Sequence, residues 1–227
     1  MTTLVVIPVR GGSKGVPRKN LRDVAGKPLV VWTIEQALAI TTPGVDVVVS
    51  TEDPDLAAIA RRAGAEVIDR PAELAQDTTA TEPVVLHAIE TMTASGREPD
   101  QVMLLQATSP IRLPGTLDRA LAEFAASEVD ALVGVVEQPP FIWQSTPMGP
   151  FPSYPVDARP RRQDLTAEQR RYRETGSVYV TRTAIYREHQ NRIGGRVNLF
   201  VMAEDEGLDI DTELDLAVAA AWLGVHA

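Results

Sequence analysis

The alternation of strand-like and helix-like segments is the feature that most constrains how this chain can fold. Four short apolar runs have the length expected of strands buried on both faces. They are residues 4–7, 45–49, 102–106 and 131–136. Four segments between them carry helical spacing, and these are residues 28–40, 54–63, 81–93 and 114–126. Alternation of this kind predicts an α/β fold with a doubly wound, mostly parallel sheet.

A proline-rich excursion interrupts this pattern after residue 136. Residues 138–173 contain seven prolines, together with the aromatic residues Phe141, Trp143, Phe151 and Tyr154. A disordered linker is one interpretation, but the aromatic side chains favour a segment that packs against something. Such rings are too apolar to remain in water, so the excursion is expected to be covered, most simply by a second copy of the chain.

Periodic structure resumes after the excursion. Strands are expected at residues 177–181, 197–202 and 208–210, and a helix at about 212–223. A chain of 227 residues is long enough for one substantial domain and short for two. We therefore interpret residues 1–227 as a single domain with an excursion at about residues 138–173.

Charge and composition exclude several classes of partner. The net charge is −9, and both nucleic acid and anionic membranes require a basic face, so neither is expected as a partner. The absence of cysteine excludes disulfides, thiolate metal sites and a cysteine nucleophile. No cationic segment precedes Leu4 and no apolar run reaches about 18 residues, so we expect a cytoplasmic protein.

The loop at residues 10–20, RGGSKGVPRKN, is the most informative sign of function. Its glycines and proline break regular structure, and it concentrates four cations, which are Arg10, Lys14, Arg18 and Lys19. Open α/β sheets bind ligands beyond the carboxyl ends of their strands, where glycine N–H groups and cations meet phosphate oxygens. The loop therefore predicts a polyphosphate site, with a solvated basic turn as the alternative. The patterns GxxxxGK[ST] and GxGxxG are both absent.

Asp209 and Asp211 are a second candidate site. On the strand predicted at residues 208–210, side chains two residues apart point to the same face, so both carboxylates would face one way. Two hard oxygen ligands suit Mg²⁺, which is usually held by one or two carboxylates together with substrate phosphates. The alternative is that Asp211 caps the following helix and Asp209 is solvated.

Two polar segments complete the set of candidates. In LLQATSPIR, residues 104–112, Gln106 ends a strand, and its amide can read a sugar hydroxyl or a base edge. In RPAELAQDTTATEP, residues 70–83, Thr79 and Thr81 can bond a ribose or a base, although Thr81 is also a plausible helix cap. Each segment alone is compatible with an ordinary turn.

These motifs together carry a family resemblance. RGGSKGVPRKN, RPAELAQDT, LLQATSPIR, RRQD and DIDTELDL, in this order and spacing, resemble the sugar-acid cytidylyltransferases, and most closely the acylneuraminate cytidylyltransferases (CMP-sialic acid synthetases). The resemblance covers nearly the whole chain. It implies a nucleotidyltransferase, Rossmann-like α/β fold and a homodimer formed through an extension near residues 138–173.

The resemblance also assigns roles by motif. The triphosphate would be handled by Arg10, Gly11, Gly12, Ser13 and Lys19. Cytosine and ribose would be held by Asn20, Arg70, Thr79 and Thr81. The acceptor would be contacted by Gln106, Arg162, Arg173 and Tyr179. Magnesium would be bound by Asp209 and Asp211, and the catalytic group would comprise Arg10, Lys19, Asp209 and Asp211.

Two positions depart from the family pattern. Thr175 stands where the family often has an asparagine before a glycine. The sialic acid enzymes carry a lysine around position 142 or 143, in a stretch that here reads QPPFIWQ. The missing lysine weakens the case for sialic acid itself and leaves CMP transfer untouched.

The expected activity is transfer of CMP from CTP to an acidic acceptor, with release of pyrophosphate. A sialic-type nonulosonic acid is the expected acceptor, and a small phosphonate is the alternative, because Arg162 and Arg173 would grip either anion. A non-catalytic nucleotide-binding module that regulates a partner is the alternative from a different class. No residue in the sequence stands out as the general base.

Overall fold

The structure is a computed structural model that describes residues 1–12 and 15–226 of the 227-residue chain. Its helices are α1 (Leu29–Leu38), α2 (Pro54–Arg62), α3 (Thr81–Ala94), α4 (Thr116–Ala126), α5 (Thr183–His189) and α6 (Glu213–His226). Its strands are β1 (Thr3–Pro8), β2 (Asp23–Val24), β3 (Lys27–Pro28), β4 (Val45–Thr51), β5 (Glu66–Asp69), β6 (Gln101–Leu104), β7 (Ala131–Gln138), β8 (Trp143–Thr146), β9 (Gly149–Pro152), β10 (Arg171–Arg182) and β11 (Val197–Met202).

A seven-stranded sheet in the order β11-β7-β10-β6-β1-β4-β5 forms the centre of the fold. β1 pairs in parallel with β4 and β6, and β4 pairs in parallel with β5. β10 is antiparallel to both of its neighbours, while β11 is parallel to β7. The predicted doubly wound, mostly parallel sheet is confirmed.

The central strand β1 shows why its sequence is an unbroken apolar run. Val5 and Ile7 pack in one core cluster with residues of α1, α2 and α4, whereas Leu4 and Val6 pack in another with residues of α3. All four side chains are essentially inaccessible to solvent. Burying each of them contributes roughly 1.5–3 kcal/mol, so a strand covered on both faces requires apolar residues at every position.

The boundaries of α2 follow from local chemistry. Asp53 precedes the helix, and its carboxylate accepts hydrogen bonds from the N–H groups of Asp55 and Leu56 at 2.8 and 3.1 Å. Pro54 occupies the first helical position, where a missing N–H costs little. Gly64 follows the C-cap residue with φ +94°, a conformation that favours glycine, and it ends the helix.

Several elements differ from the expectations. The strand predicted at residues 208–210 is wrong, because this segment is irregular. The N–H of Ile210 donates to the carbonyl of Thr108, in the segment after β6, at 2.9 Å. β5 was missed because this four-residue edge strand begins with a glutamate and ends with an aspartate. The seven-residue helix α5 is too short to show a helical period.

The excursion contains the hairpin β8–β9. Phe141 and Tyr154 meet edge to face with ring centroids 5.2 Å apart, and the guanidinium of Arg159 lies 4.1 Å from the centroid of Phe141. Trp143 and Phe151 are 53% and 63% exposed. The aromatic residues thus pack partly on one another and leave an apolar surface open.

No helix within the described ranges is long and apolar enough to cross a bilayer.

Candidate active site

A cavity of about 490 Å³ opens at the carboxyl ends of β1 and β6, the edge at which open α/β sheets bind ligands. It brings together most of the site residues predicted from the sequence. These are Arg10, Lys19, Asn20, Arg70, Thr79, Thr81, Gln106, Asp209 and Asp211. Residues more than 190 positions apart therefore share one space.

The start of the basic loop rests against an acidic turn after β4. The N–H of Gly11 donates to Oε1 of Glu52 at 2.9 Å, so this donor is already engaged within the protein. A Cβ atom on Gly11 would lie 2.2 Å from Oδ2 of Asp53, which leaves room only for glycine. Gly11 thus holds the loop in place, and neither it nor Gly12 lines the cavity. Ser13 and Lys14 lie outside the described residues.

Lys19 joins the basic loop to the segment that carries the paired carboxylates. The residue is 9% exposed; its ammonium donates to the carbonyl of Ile210 and lies 3.6 Å from Oδ1 of Asp211. Gly15 packs on the same segment, since a Cβ there would approach the carbonyl oxygen of Asp211 to 2.4 Å. The loop after β1 and the segment before α6 consequently form one wall of the cavity.

Arg10 lies at the mouth of the cavity. Its Nη1 is 2.8 Å from Oδ1 of Asp77, and both side chains are partly exposed. Because exposed pairs of this type contribute little stability, typically below about 1 kcal/mol, Arg10 can exchange this partner for another anion at small cost.

Arg70 lies deeper, with 8% of its surface exposed. Its Nη2 donates to the carbonyls of Val9 and Ser50, at the ends of β1 and β4, and its Nη1 lies 3.7 Å from Oε2 of Glu52. Burial lowers the pKa of Arg70, an effect that Glu52 opposes and Arg10 reinforces. Arg70 thus fixes the floor of the cavity by tying two strand ends together.

Asn20 presents an unpaired acceptor. Its Nδ2 donates to the carbonyl of Arg10 at 3.2 Å, which defines the orientation of the amide. Its Oδ1 is buried and has no hydrogen-bond partner within the described part of the protein, although the residue lines the cavity. A buried acceptor of this kind favours a ligand that brings an N–H donor to it.

The paired aspartates follow β11 on irregular backbone. Oδ1 of Asp209 lies 3.4 Å from the hydroxyl of Ser109, and the side chain of Asp211 is 81% exposed. Asp211 does not cap α6: the hydroxyl of Thr212 accepts from the N–H of Asp215 at 3.2 Å, and Asp215 accepts from Thr212 in return. Both aspartate carboxylates remain available to the cavity.

The other acceptor residues predicted from the family motif do not line this cavity. Arg162 lies in a short 3-10 turn of the excursion, and Arg173 donates to the carbonyl of Gly207 at 2.8 Å. Tyr179 is 3% exposed and packs on the face covered by α3 and α5, with its hydroxyl 2.5 Å from Oε1 of Glu174. Burial raises the pKa of Tyr179, and the bond to Glu174 adds to the effect. Their predicted roles stay predictions.

Several residues that shape the site were not singled out from the sequence. Gly15 belongs to the basic loop, and its contact with Asp211 depends on tertiary structure. Glu52 and Asp77 lie in polar turns and belong to no motif of their own. Only a search for acidic partners of Arg70 and Arg10 would have suggested them. Ser109 carried a signal in the motif LLQATSPIR but looked like an ordinary turn residue.

Comparison with solved structures defines the class of the fold. The chain matches CMP:2-keto-3-deoxy-manno-octonic acid synthetase complexed with CTP, with a TM-score of 0.70 over 100% of both chains at 19% identity. The protein therefore has a nucleotidyltransferase fold. A family model described as cytidylyltransferase matches residues 4–198. The chain belongs to this cytidylyltransferase family.

Curated relatives support the same assignment. The chain is 34% identical over 222 residues to N-acylneuraminate cytidylyltransferase of Oncorhynchus mykiss, covering 94% of this chain and 48% of that protein. It is 31% identical over 226 residues to pseudaminic acid cytidylyltransferase of Campylobacter jejuni, covering 96% of this chain and 95% of that protein. The chain thus spans about half the length of the N-acylneuraminate relatives and nearly all of the pseudaminic acid relative.

Proposed function

We propose that this protein transfers CMP from CTP to an acidic acceptor and releases pyrophosphate. The observation that carries the proposal is the composition of one cavity, in which Arg10 and Lys19 face Asp209 and Asp211 while Asn20 offers a buried acceptor. The cations suit a triphosphate, the carboxylates suit a divalent metal, and the amide suits a base with an exposed amino group. The family and the CTP complex of the structural neighbour support the same substrate.

Cytosine fits the amide of Asn20 better than uracil does. Its exocyclic amine is a donor, which pairs with the free Oδ1 of Asn20, whereas uracil would present an oxygen at the equivalent position. Two acceptors in contact leave both unsatisfied, at a cost of about 1–3 kcal/mol. Arg70, which fixes the cavity floor, and the hydroxyls of Thr79 and Thr81 complete this proposed nucleoside end.

The reaction requires positioning and charge stabilisation. The acceptor hydroxyl would attack the α-phosphorus of CTP, forming a new oxygen–phosphorus bond while the bond to the pyrophosphate oxygen breaks. Arg10 and Lys19 would stabilise the charge that develops on the departing pyrophosphate. Lys19 can do so from a fixed place, because its ammonium is anchored by the carbonyl of Ile210.

Asp209 and Asp211 fit a magnesium site. Both line the cavity, and both supply hard oxygen ligands. The described residues offer no third histidine or carboxylate ligand grouped with them. Mg²⁺ accepts such sparse protein ligation because water and phosphate oxygens complete its shell. When bound, the ion would neutralise phosphate charge and thus reduce repulsion of an anionic acceptor.

The acceptor we propose is a nonulosonic acid. The two kinds of curated relative are named for N-acylneuraminate and pseudaminic acid, both acidic sugars. Gln106 and Asp209 line the same cavity, so the Gln106 amide can bond a hydroxyl of a sugar bound there. Arg162 and Arg173 are proposed to grip the acceptor carboxylate, and the excursion would have to close over the cavity for contact. Tyr179 is buried beneath α3 and α5, so its proposed place beside the acceptor rests on the family motif alone.

The decisive experiment is pyrophosphate release from CTP and Mg²⁺ with a panel of acceptors. We expect release with N-acylneuraminate, pseudaminic acid or a related nonulosonic acid, and none without acceptor. Pyrophosphate release only with small phosphonates would show that the acceptor is a phosphonate and not a nonulosonic acid, while CMP transfer would stand. CTP binding without turnover on any acceptor would favour the non-catalytic regulatory module.

Nucleotide choice tests the role of Asn20. Wild-type protein should prefer CTP, with UTP as the best substitute, and Asn20→Ala should lower the ratio of kcat/KM for CTP over UTP by roughly ten- to a hundredfold. The exposed amide of Asn198 on β11 provides a matched control, since Asn198→Ala should leave the ratio unchanged. Equal turnover of all four nucleotides by the wild type would contradict base recognition at this site.

Metal binding and helix capping can be separated by two neighbouring substitutions. Asp211→Asn, like Asp209→Asn, should lower kcat by about a hundredfold or more in saturating Mg²⁺ and leave urea unfolding nearly unchanged. Thr212→Ala should remove the cap of α6 and cost about 1 kcal/mol of unfolding free energy while catalysis persists. Asp205→Asn, an exposed carboxylate outside the cavity, is the control. Full activity of Asp211→Asn would remove that residue from the metal site.

A homodimer is the assembly we propose, formed through the excursion. Met148 is fully exposed and Val156 is 60% exposed, beside the open rings of Trp143 and Phe151. Their burial in a subunit contact would contribute roughly 1.5–3 kcal/mol for each large side chain.

Light scattering should therefore give a dimer mass at micromolar concentration. The double change Trp143→Glu and Phe151→Glu should shift the mass to that of the monomer. Leu214→Glu, at a 73% exposed position of α6, should leave the dimer intact. A monomeric wild type would refute the assembly.

A further inference from the structure

Arg112 is a buried arginine that the proposed reaction does not use. It lies between β6 and α4 and is 5% exposed. Burial lowers its pKa to about 9, so the guanidinium is still charged at neutral pH. Glu206 acts on it electrostatically, yet within the described part of the chain no carboxylate forms an ion pair with it. A cation placed in the interior without a paired acid is costly unless its N–H groups are well bonded.

The guanidinium of Arg112 bonds three separate parts of the fold. Nη2 donates to the carbonyl of Gln106 at 3.0 Å and to the carbonyl of Ser177 at 2.8 Å. Nη1 donates to the hydroxyl of Thr33 at 3.2 Å and to Oε1 of Gln36 at 2.9 Å, both on α1. The β6–α4 segment, β10 and α1 are therefore fixed to one planar group.

β10 makes an irregular bulge where Arg112 holds it. The register with β7 shifts between Glu174 and Tyr179, and Gly176 within this stretch has φ +72°. A Cβ on Gly176 would lie 2.4 Å from Oε1 of Gln106, so a side chain at residue 176 would push the Gln106 amide out of its present position. The bulge thus sets the side chain of Gln106, while Arg112 sets its backbone.

The same bulge also reaches the paired carboxylates. The hydroxyl of Ser109 lies 3.1 Å from the carbonyl of Thr175 and 3.4 Å from Oδ1 of Asp209. Thr175 in turn donates its hydroxyl to the carbonyl of Gly134 on β7 at 3.0 Å. A displacement of the bulge would therefore move Gln106 and disturb the surroundings of Asp209 together.

We infer that Arg112 is a positioning residue: it fixes Gln106 and the bulge at residues 175–177 so that the Gln106 amide and the Asp209 carboxylate keep a constant spacing. The inference rests on the proposed function, in which Gln106 contacts the acceptor and Asp209 the metal. Arginine suits this task because its rigid fork serves several carbonyls at once, which the point charge of lysine does not. A residue needed only for packing would be apolar here.

Kinetics of Arg112→Lys and Gly176→Ala test the inference. Each should raise the acceptor KM or lower kcat by about tenfold to a hundredfold, because a misplacement near 1 Å can cost that much. The CTP KM should stay within about twofold, since neither residue touches the nucleoside end. Met92→Ala, a core change in α3, serves as the control for stability: at an equal fall in Tm it should leave both KM values unchanged.

Two outcomes would overturn the positioning role. One is unchanged kinetics in both variants despite a lower Tm; the other is a loss of CTP affinity equal to the loss for the acceptor. If Arg112→Lys does not fold, Gly176→Ala carries the kinetic test alone.

If the wild type releases no pyrophosphate with any acceptor, the proposed function fails. The crystal structure of either variant then decides: Gln106 should be displaced, and an unmoved Gln106 refutes the inference.

Discussion

The buried ammonium of Lys19 is the contact on which the rest of the site depends. It joins the loop after β1 to the carbonyl of Ile210, a residue 191 positions away. A cation with 9% exposure is tolerated in the interior only with good partners, and Ile210 together with Asp211 supplies them. The basic loop and the paired carboxylates come from opposite ends of the chain, so their spacing depends on this link and on the contact of Gly15 with Asp211.

The cations of the cavity differ in how they are held, and this difference bears on the polyanion site that we propose. The chain has a net charge of −9, and acidic side chains accompany the arginines of the cavity: Asp77 pairs with Arg10 and Glu52 lies near Arg70. These pairs differ in burial. Arg10 stands at the mouth and can change partners, whereas Arg70 is committed to strand ends by its backbone bonds. The exchangeable charge of Arg10 suits the phosphates of the proposed nucleotide, and the fixed charge of Arg70 suits its base.

The sequence predicted the sheet well because strands buried on both faces contain apolar runs, such as residues 4–7 of β1 and residues 131–136 of β7. It failed at residues 208–210, where the alternation of Asp209, Ile210 and Asp211 imitates a strand that has no partner to pair with. The candidate residues around the cavity were found from motifs, but their contacts were not. The dependence of Gln106 on Gly176, 70 positions away, is a property of the folded chain alone.

The antiparallel direction of β10 has a consequence for how this fold can diversify. Because Arg171 pairs with Gln138, the excursion leaves and re-enters the sheet at one point, on the edge that holds the cavity. It is topologically a hairpin connection, and doubling the length of such a loop costs only about 0.6 kcal/mol of closure entropy. Insertions, deletions and exchanges there can leave the sheet register intact while they change the surface beside the edge that holds the cavity. Mutational drift can thus reshape that surface without altering the strands from which it extends.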